Sequence, residues 1–174
     1  MAIDTNVRNV RVIHSITGAA FSVEHHRNPA LALCSMCGRK EVCETFGRMM
    51  GYERENPVRR CDQYMPPLAF RDKRGTDKVF NTFRLGGAWA SRVYPGVEVA
   101  LVDHKSEIFG TAIVRSVYHG AIEDMVLLFG EDNHLLLGKE MKLPDDMLKI
   151  LRNSYGNMIY RSHDTATVIY LERQ

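Results

Sequence analysis

The sequence predicts an α+β protein, because runs with strand periodicity and runs with helix periodicity both occur along its 174 residues. The strand-like runs are rich in β-branched and aromatic residues and lie mostly in the C-terminal half. Two amphipathic helical runs lie in the same half. With 45% hydrophobic residues, the chain is able to form a real core rather than a disordered segment.

The N-terminal half has weaker secondary-structure signals. Two β-rich runs, Val7–Ile13 and Ala19–Val23, predict a hairpin that turns near Gly18. The run Glu41–Met50 has apolar residues at helical spacing and predicts a short helix. The prolines between residues 57 and 67 predict irregular structure, and the polar stretch 71–75 is interpreted as a linker.

We therefore divide the chain into an N-terminal segment, residues 1–76, and a C-terminal domain, residues 77–174. The second helix of this domain has the clearest end signals, since Pro144 suits a first helical turn and Gly156 suits a C-terminal cap. In chain order the predicted elements are strands Val79–Leu85, Val97–Asp103 and Glu107–Tyr118, helices Ile122–Phe129 and Pro144–Tyr155, and strand Thr165–Leu171.

The strongest chemical signal is a cluster of four cysteines, Cys34, Cys37, Cys43 and Cys61, within residues 31–67. Two thiolates three residues apart, followed by a glycine, form a familiar metal-binding turn. In a reducing compartment such clustering favours a metal over disulfides, and four sulfur ligands suit a closed, structural zinc site. An iron–sulfur cluster is the alternative cofactor, because four cysteines serve that group equally well.

Two further readings of the cysteine cluster stay open. The thiols could be reduced and purely structural, or a partial metal site could recruit His25 or His26. If the site exists, metal binding would contribute to the folding of a segment that has few large apolar residues.

The charge distribution adds a weaker indication of a partner. The net charge of +2 is too small to imply one, but residues 1–78 hold 13 Lys and Arg against 9 Asp and Glu. Phosphate contacts are therefore predicted for a basic group in this half: Arg59, Arg60, Arg71, Lys73 and Arg74. No apolar run reaches the roughly 20 residues that span a bilayer, so we expect a cytoplasmic protein without a membrane partner.

A candidate ligand site lies on the first strand of the C-terminal domain. Thr82 and Arg84 are two residues apart on a strand, so their side chains face the same side. A hydroxyl beside a guanidinium is able to bind a phosphate or the edge of a base. Trp89, the single tryptophan, is a candidate for stacking on a base.

The C-terminal half carries an ordered set of short motifs: Asn81-Thr82-Phe83-Arg84-Leu85-Gly86, Pro95-Gly96-Val97-Glu98-Val99, Gly110-Thr111-Ala112-Ile113-Val114 with Val117, and Val168-Ile169-Tyr170-Leu171-Glu172. This set resembles the ASCH domain of the PUA-like superfamily. The resemblance implies a small β-barrel with flanking helices and a cleft beside the first of these strands. It also implies binding of RNA or nucleosides.

Some proteins of that family hydrolyse acylated cytidine, and these look to use a lysine three residues before the threonine together with a downstream glutamate. Here Val79 occupies that position, and Lys78 lies one residue earlier. Lys78, Thr82 and Glu123 are therefore the catalytic candidates that the resemblance supplies, although Lys78 would face the opposite side of a regular strand.

Three functions follow from these features. The leading hypothesis is a nucleic-acid or nucleotide binding protein, for RNA, single-stranded DNA or a nucleotide with or without a modified base, that carries a structural metal site. The first alternative is a hydrolase acting on modified nucleosides or RNA. The second is a protein-interaction or inhibitory module with a protein partner.

Overall fold

A computed structural model describes residues 11–13, 64–139, 144–156 and 165–174. The second strand of the predicted N-terminal hairpin, the predicted helix Glu41–Met50 and all four cysteines lie outside these residues. The described part combines a six-stranded sheet with two α-helices, which confirms the α+β class.

The predicted elements of the C-terminal half are confirmed closely. Strand Val79–Leu85 and helices Ile122–Phe129 and Pro144–Tyr155 are observed with the predicted bounds. Gly156 adopts a φ of 57°, and its N–H donates to the Arg152 carbonyl, as expected for a helix cap. The observed elements are β1 Arg11–Ile13, β2 Pro67–Ala69, β3 Val79–Leu85, β4 Glu98–Val102, β5 Ile108–Ala121, α1 Ile122–Phe129, a 3-10 turn Gly130–Asp132, α2 Pro144–Tyr155 and β6 Thr165–Arg173.

The prediction of irregular structure before residue 71 was wrong at β2. This strand begins at Pro67 and pairs with β4 in parallel, with Leu68 opposite Leu101. Proline lacks an N–H, but the first residue of an outer strand is a position that tolerates it. The prolines therefore led to a prediction of irregular structure where a strand begins.

The strands follow the order β2-β4-β5-β6-β3, and β1 pairs with β5 off this path. All neighbours are antiparallel except β2 and β4. Strands from both sides of residue 76 therefore belong to one sheet, since β1 and β2 precede that residue. The predicted division at residue 76 stays a prediction, because nothing in this topology tests whether the N-terminal segment folds separately.

The sheet buries apolar side chains on both faces, following the alternation of strand residues. In β6, Ile169 and Leu171 join one buried cluster, whereas Ala166 and Val168 join a second cluster with residues of α1 and α2. The two helices therefore cover the second face. Within the described residues no helix is long and apolar enough to cross a membrane.

Side chains connect the two outer strands, β2 and β3. The Arg84 side chain of β3 donates from Nη2 to the Ala69 carbonyl of β2 at 2.7 Å. Phe70, which follows β2, has its ring centroid 6.0 Å from that of Phe80 in β3. In the described part of the chain the backbone ladders end at these two strands, so the closed barrel stays a prediction.

Candidate ligand-binding cavity beside β3

A cavity of about 450 Å³ opens beside the outer strand β3. Its walls come from β3, from residues 69–72 at the end of β2, from residues 133–135 and from residues 147–155 of α2. Much of the lining is apolar and includes Phe83, Leu135, Met147, Ile150 and Leu151. Small-molecule sites in proteins fall between about 300 and 1,000 Å³, so this cavity is large enough for a nucleotide-sized ligand.

The cavity brings together the two site residues that the strand period predicted. Thr82 and Arg84 both line it, and Thr82 pairs with Ile169 of β6 in the middle of the ladder. Thr82 is 4% exposed, and its hydroxyl belongs to a residue of the cavity lining, where a ligand could reach it.

Arg84 is held against the aromatic side chains near the cavity. Its guanidinium carbon lies 5.1 Å from the centre of the Phe70 ring and 5.9 Å from that of Trp89. One guanidinium nitrogen donates to the Ala69 carbonyl, but the buried Nε has no hydrogen-bond partner. Stacking and the Ala69 carbonyl therefore orient Arg84, and its Nε donor stays unused.

No Asp or Glu among the described residues forms an ion pair with Arg84. Burial lowers the pKa of Arg84, an effect that the neighbouring Tyr155 hydroxyl partly opposes. Arginine nevertheless stays charged at neutral pH, because its ordinary pKa lies far above neutrality. Arg84 is half-buried. Because a partly desolvated charge without a counterion is costly, an anion is the ligand that this position favours.

Trp89 contacts Arg84 but is not part of the cavity lining. It is partly buried against the first core cluster, and the guanidinium carbon of Arg92 lies 5.5 Å from its ring centre. The structure therefore places Trp89 as a support for Arg84. Stacking of Trp89 on a base, which the sequence suggested, stays a prediction.

The three basic residues between positions 71 and 74 differ in their contacts. Arg71 is exposed and lines the cavity. Lys73 instead places its Nζ 3.1 Å from a carboxylate oxygen of Asp103, and Arg74 forms an ion pair with Asp72 at 2.6 Å. The Lys73 ammonium and two backbone N–H groups lower the pKa of Asp103 to about 2, so this carboxylate is charged at neutral pH. Arg71 is thus better placed for a ligand than Lys73 or Arg74.

The structure does not bring the three catalytic candidates together. Lys78 is exposed just before β3, and Glu123 is exposed in the first turn of α1. Neither residue lines the cavity with Thr82. The described side chains therefore offer no lysine beside a carboxylate at this site, which is the arrangement that the hydrolase hypothesis requires.

Sequence reasoning gave no role to His134, which is buried and lines the cavity. Its Nδ1 lies 2.9 Å from the carbonyl oxygen of Arg74, and its ring centre lies 5.2 Å from that of Phe70. Burial lowers the pKa of His134 below its usual range. Because Arg74 is 60 residues away in the chain, no local spacing could have indicated this contact.

Two asparagines fix the segment that carries His134. The side-chain amide of the fully buried Asn81 donates to the Phe129 carbonyl at 2.7 Å. The backbone N–H of His134 donates to the Asn81 carbonyl at 3.1 Å, and Asn133 pairs with Asn81 as an isolated bridge. The free edge of β3 thus anchors one wall of the cavity.

The remaining predicted site residues lie outside the described residues. These are Arg59 and Arg60 of the basic group, and the predicted metal ligands Cys34, Cys37, Cys43 and Cys61. Among the described residues, no group of three or more His, Cys, Asp or Glu side chains could hold a metal ion. The metal site therefore stays a prediction from cysteine spacing.

The fold and cavity define an α+β protein with a cleft at the edge of its sheet that is lined in part by Arg71 and Arg84. Comparison of the chain with models of known protein families, with curated proteins and with solved structures found no match. The likeness to the ASCH domain therefore rests on the sequence motifs alone.

Proposed function

We propose that the protein acts in the cytoplasm as a nucleic-acid or nucleotide binding protein, and that it binds its ligand in the cavity beside β3. The observation that carries this proposal is the guanidinium of Arg84. It has a buried Nε without a partner and no carboxylate neighbour among the described residues. A phosphate group would supply both the missing hydrogen-bond acceptor and the missing negative charge.

Other parts of the cavity suit the rest of such a ligand. Arg71 offers a second cation at the rim, and the Thr82 hydroxyl is able to bind a phosphate oxygen or a base edge. The apolar wall from Leu135, Met147 and Ile150 suits the flat face of a base, modified or not. RNA, single-stranded DNA and free nucleotides share this chemistry.

The motif resemblance to the ASCH domain supports the same proposal and extends it to a PUA-like barrel. In that arrangement the side-chain contacts between β2 and β3 would lie at the closure of the barrel. The hydrolase alternative has less support, because Lys78 and Glu123 lie outside the cavity lining. The cavity observations do not bear on the protein-interaction alternative.

The proposal is tested by calorimetric titration of adenosine and cytidine 5′-monophosphate and of a short single-stranded RNA. Phosphate contacts from Arg71 and Arg84 predict RNA binding that weakens with salt, with a log–log slope of about −1.4 for two contacts. We expect Arg84→Gln to weaken binding by about tenfold to a hundredfold, because a charge-assisted hydrogen bond contributes about 1.5–3 kcal/mol.

Arg92→Gln is the matched control for this experiment. Arg92 also lies over the Trp89 ring, but it is not part of the cavity lining. This variant should bind like the unmodified protein. Equal affinities of the Arg84 and Arg92 variants, or RNA binding that does not respond to salt, would reject the proposed site.

We also propose that Cys34, Cys37, Cys43 and Cys61 bind a structural zinc ion, with an iron–sulfur cluster as the alternative. The support is the clustering of every cysteine within one short stretch of the chain. Protein purified without air should be colourless with one zinc per chain, whereas absorption near roughly 400 nm would indicate an iron–sulfur cluster. Protein with neither metal would contradict both assignments.

A further inference from the structure

Several polar side chains of the cavity either only donate hydrogen bonds or already accept one from the protein. The guanidinium groups of Arg71 and Arg84 only donate. The Asn133 amide oxygen already accepts the Leu135 N–H at 3.1 Å. Both carboxylate oxygens of Asp72 are engaged by Arg74, one through its backbone N–H and one through its side chain.

Three residues with hydroxyl groups, Thr82, Ser154 and Tyr155, also line the cavity, but a hydroxyl rotates and serves as donor or acceptor. Such groups adapt to either kind of ligand edge and discriminate little between them. His134 differs from them because its contacts fix the polarity of its ring.

The tautomer of His134 follows from its neighbour. The Arg74 carbonyl oxygen, 2.9 Å from Nδ1, is only able to accept, so Nδ1 carries the proton. The other ring nitrogen, Nε2, is then an acceptor as long as the ring is neutral. Burial and the positive charge of Arg84 both disfavour a second proton on this ring.

The ring orientation is fixed as well as the tautomer. His134 is 7% exposed, and its ring makes edge contacts with Phe70 and Phe80 at centroid distances of 5.2 Å and 6.0 Å. A flip of the ring would break the hydrogen bond to Arg74, whose own position is held by Asp72. His134 therefore presents a fixed acceptor in a cavity whose cations present fixed donors.

We infer that the ligand of this cavity presents an N–H donor to Nε2 of His134 while its phosphate contacts Arg84. This inference rests on the proposed nucleotide-binding function. It specifies in addition that the edge of the base facing His134 donates a hydrogen bond. For adenine and cytosine the matching donor is the exocyclic amino group of an unpaired base. A ring without that amino group would cover Nε2 of His134 without giving it a donor, and an acceptor left unpaired in the complex costs binding energy.

The experiment compares matched ligands on the unmodified protein. Adenosine 5′-monophosphate is titrated against purine riboside 5′-monophosphate, which has the same rings without the amino group. Cytidine 5′-monophosphate is titrated against its analogue that lacks the 4-amino group. At least one amino-bearing ligand should bind about tenfold more tightly than its partner, because an unmade buried hydrogen bond costs at least about 1–3 kcal/mol.

The variant His134→Phe keeps a flat ring and removes the acceptor, so it should abolish this preference. His119→Phe is the matched control, since His119 is a histidine of β5 that is not part of the cavity lining, and this variant should keep the preference. Thermal unfolding verifies that each variant is folded. If His134→Phe is unfolded, the ligand pairs on the unmodified protein decide the question alone.

The outcomes separate the inference from the proposed function. Equal affinities within both ligand pairs, with binding that still requires Arg84, would overturn the inference and leave the function standing. A preference that His134→Phe retains would also overturn it. Absence of binding by every nucleotide and by RNA would overturn both.

Discussion

Replacing Gly75 with alanine is expected to destabilise the protein by about 3 kcal/mol or more and to weaken ligand binding. Gly75 has a φ of 66°, a left-handed conformation that costs an ordinary L-residue about 1–2 kcal/mol. An added Cβ would also lie 2.1 Å from the carbonyl oxygen of His134. That neighbour is backbone and cannot rotate away, so the two segments would have to separate.

Gly96 provides a matched control for the Gly75 prediction. It has a φ of 92°, but a Cβ there would have no heavy atom within 4 Å. Gly96→Ala should therefore lose only the conformational part, about 1–2 kcal/mol. Urea unfolding of the two variants gives the difference directly. Equal losses would mean that the contact between Gly75 and His134 does not constrain the fold.

Gly75→Ala should change ligand binding as well as stability. Gly75 directly follows Arg74, whose carbonyl accepts the Nδ1 proton of His134. If the turn moves away from His134, this hydrogen bond lengthens and the tautomer of the ring is no longer fixed. Gly75→Ala should therefore reduce the preference for amino-bearing nucleotides, whereas Gly96→Ala should not change it.

The sequence predicted well those elements whose determinants are local. Helix α2 carries its own end signals, with Pro144 in the first turn, acidic residues after it and Gly156 beyond its last turn. Strand β3 alternates its faces, which sufficed to place Thr82 and Arg84 together in one cavity. In both cases the information lies within one stretch of about ten residues.

The parts that sequence reasoning missed depend on contacts between distant residues. Charge alone could not separate Arg71, which lines the cavity, from Lys73, which pairs with Asp103 thirty residues later. His134 has no distinctive sequence context, and its tautomer depends on a carbonyl group 60 residues away. The sequence did not predict the pairing of β2 with β4, because prolines usually indicate an irregular backbone.

Replacing Asn81 with alanine is the second change expected to have a large effect, a loss of about 2–4 kcal/mol of stability. Asn81 is fully buried, and its amide donates to the Phe129 carbonyl at 2.7 Å. Alanine would leave that carbonyl without its donor and open a small cavity beneath α1. Binding should weaken as well, since the segment with His134 is anchored on Asn81.

Asn153, an exposed residue of α2, is the control, and Asn153→Ala should change stability by no more than about 0.5 kcal/mol. Asn81→Asp then separates the hydrogen bond from packing, because it keeps the size of the side chain and replaces the donor with a second acceptor. An aspartate facing the Phe129 carbonyl should cost at least as much as alanine at neutral pH, because a buried charge would meet an acceptor. If urea unfolding gives Asn81→Asp the same small loss of stability as Asn153→Ala, the hydrogen bond from Asn81 does not anchor the cavity wall that carries His134.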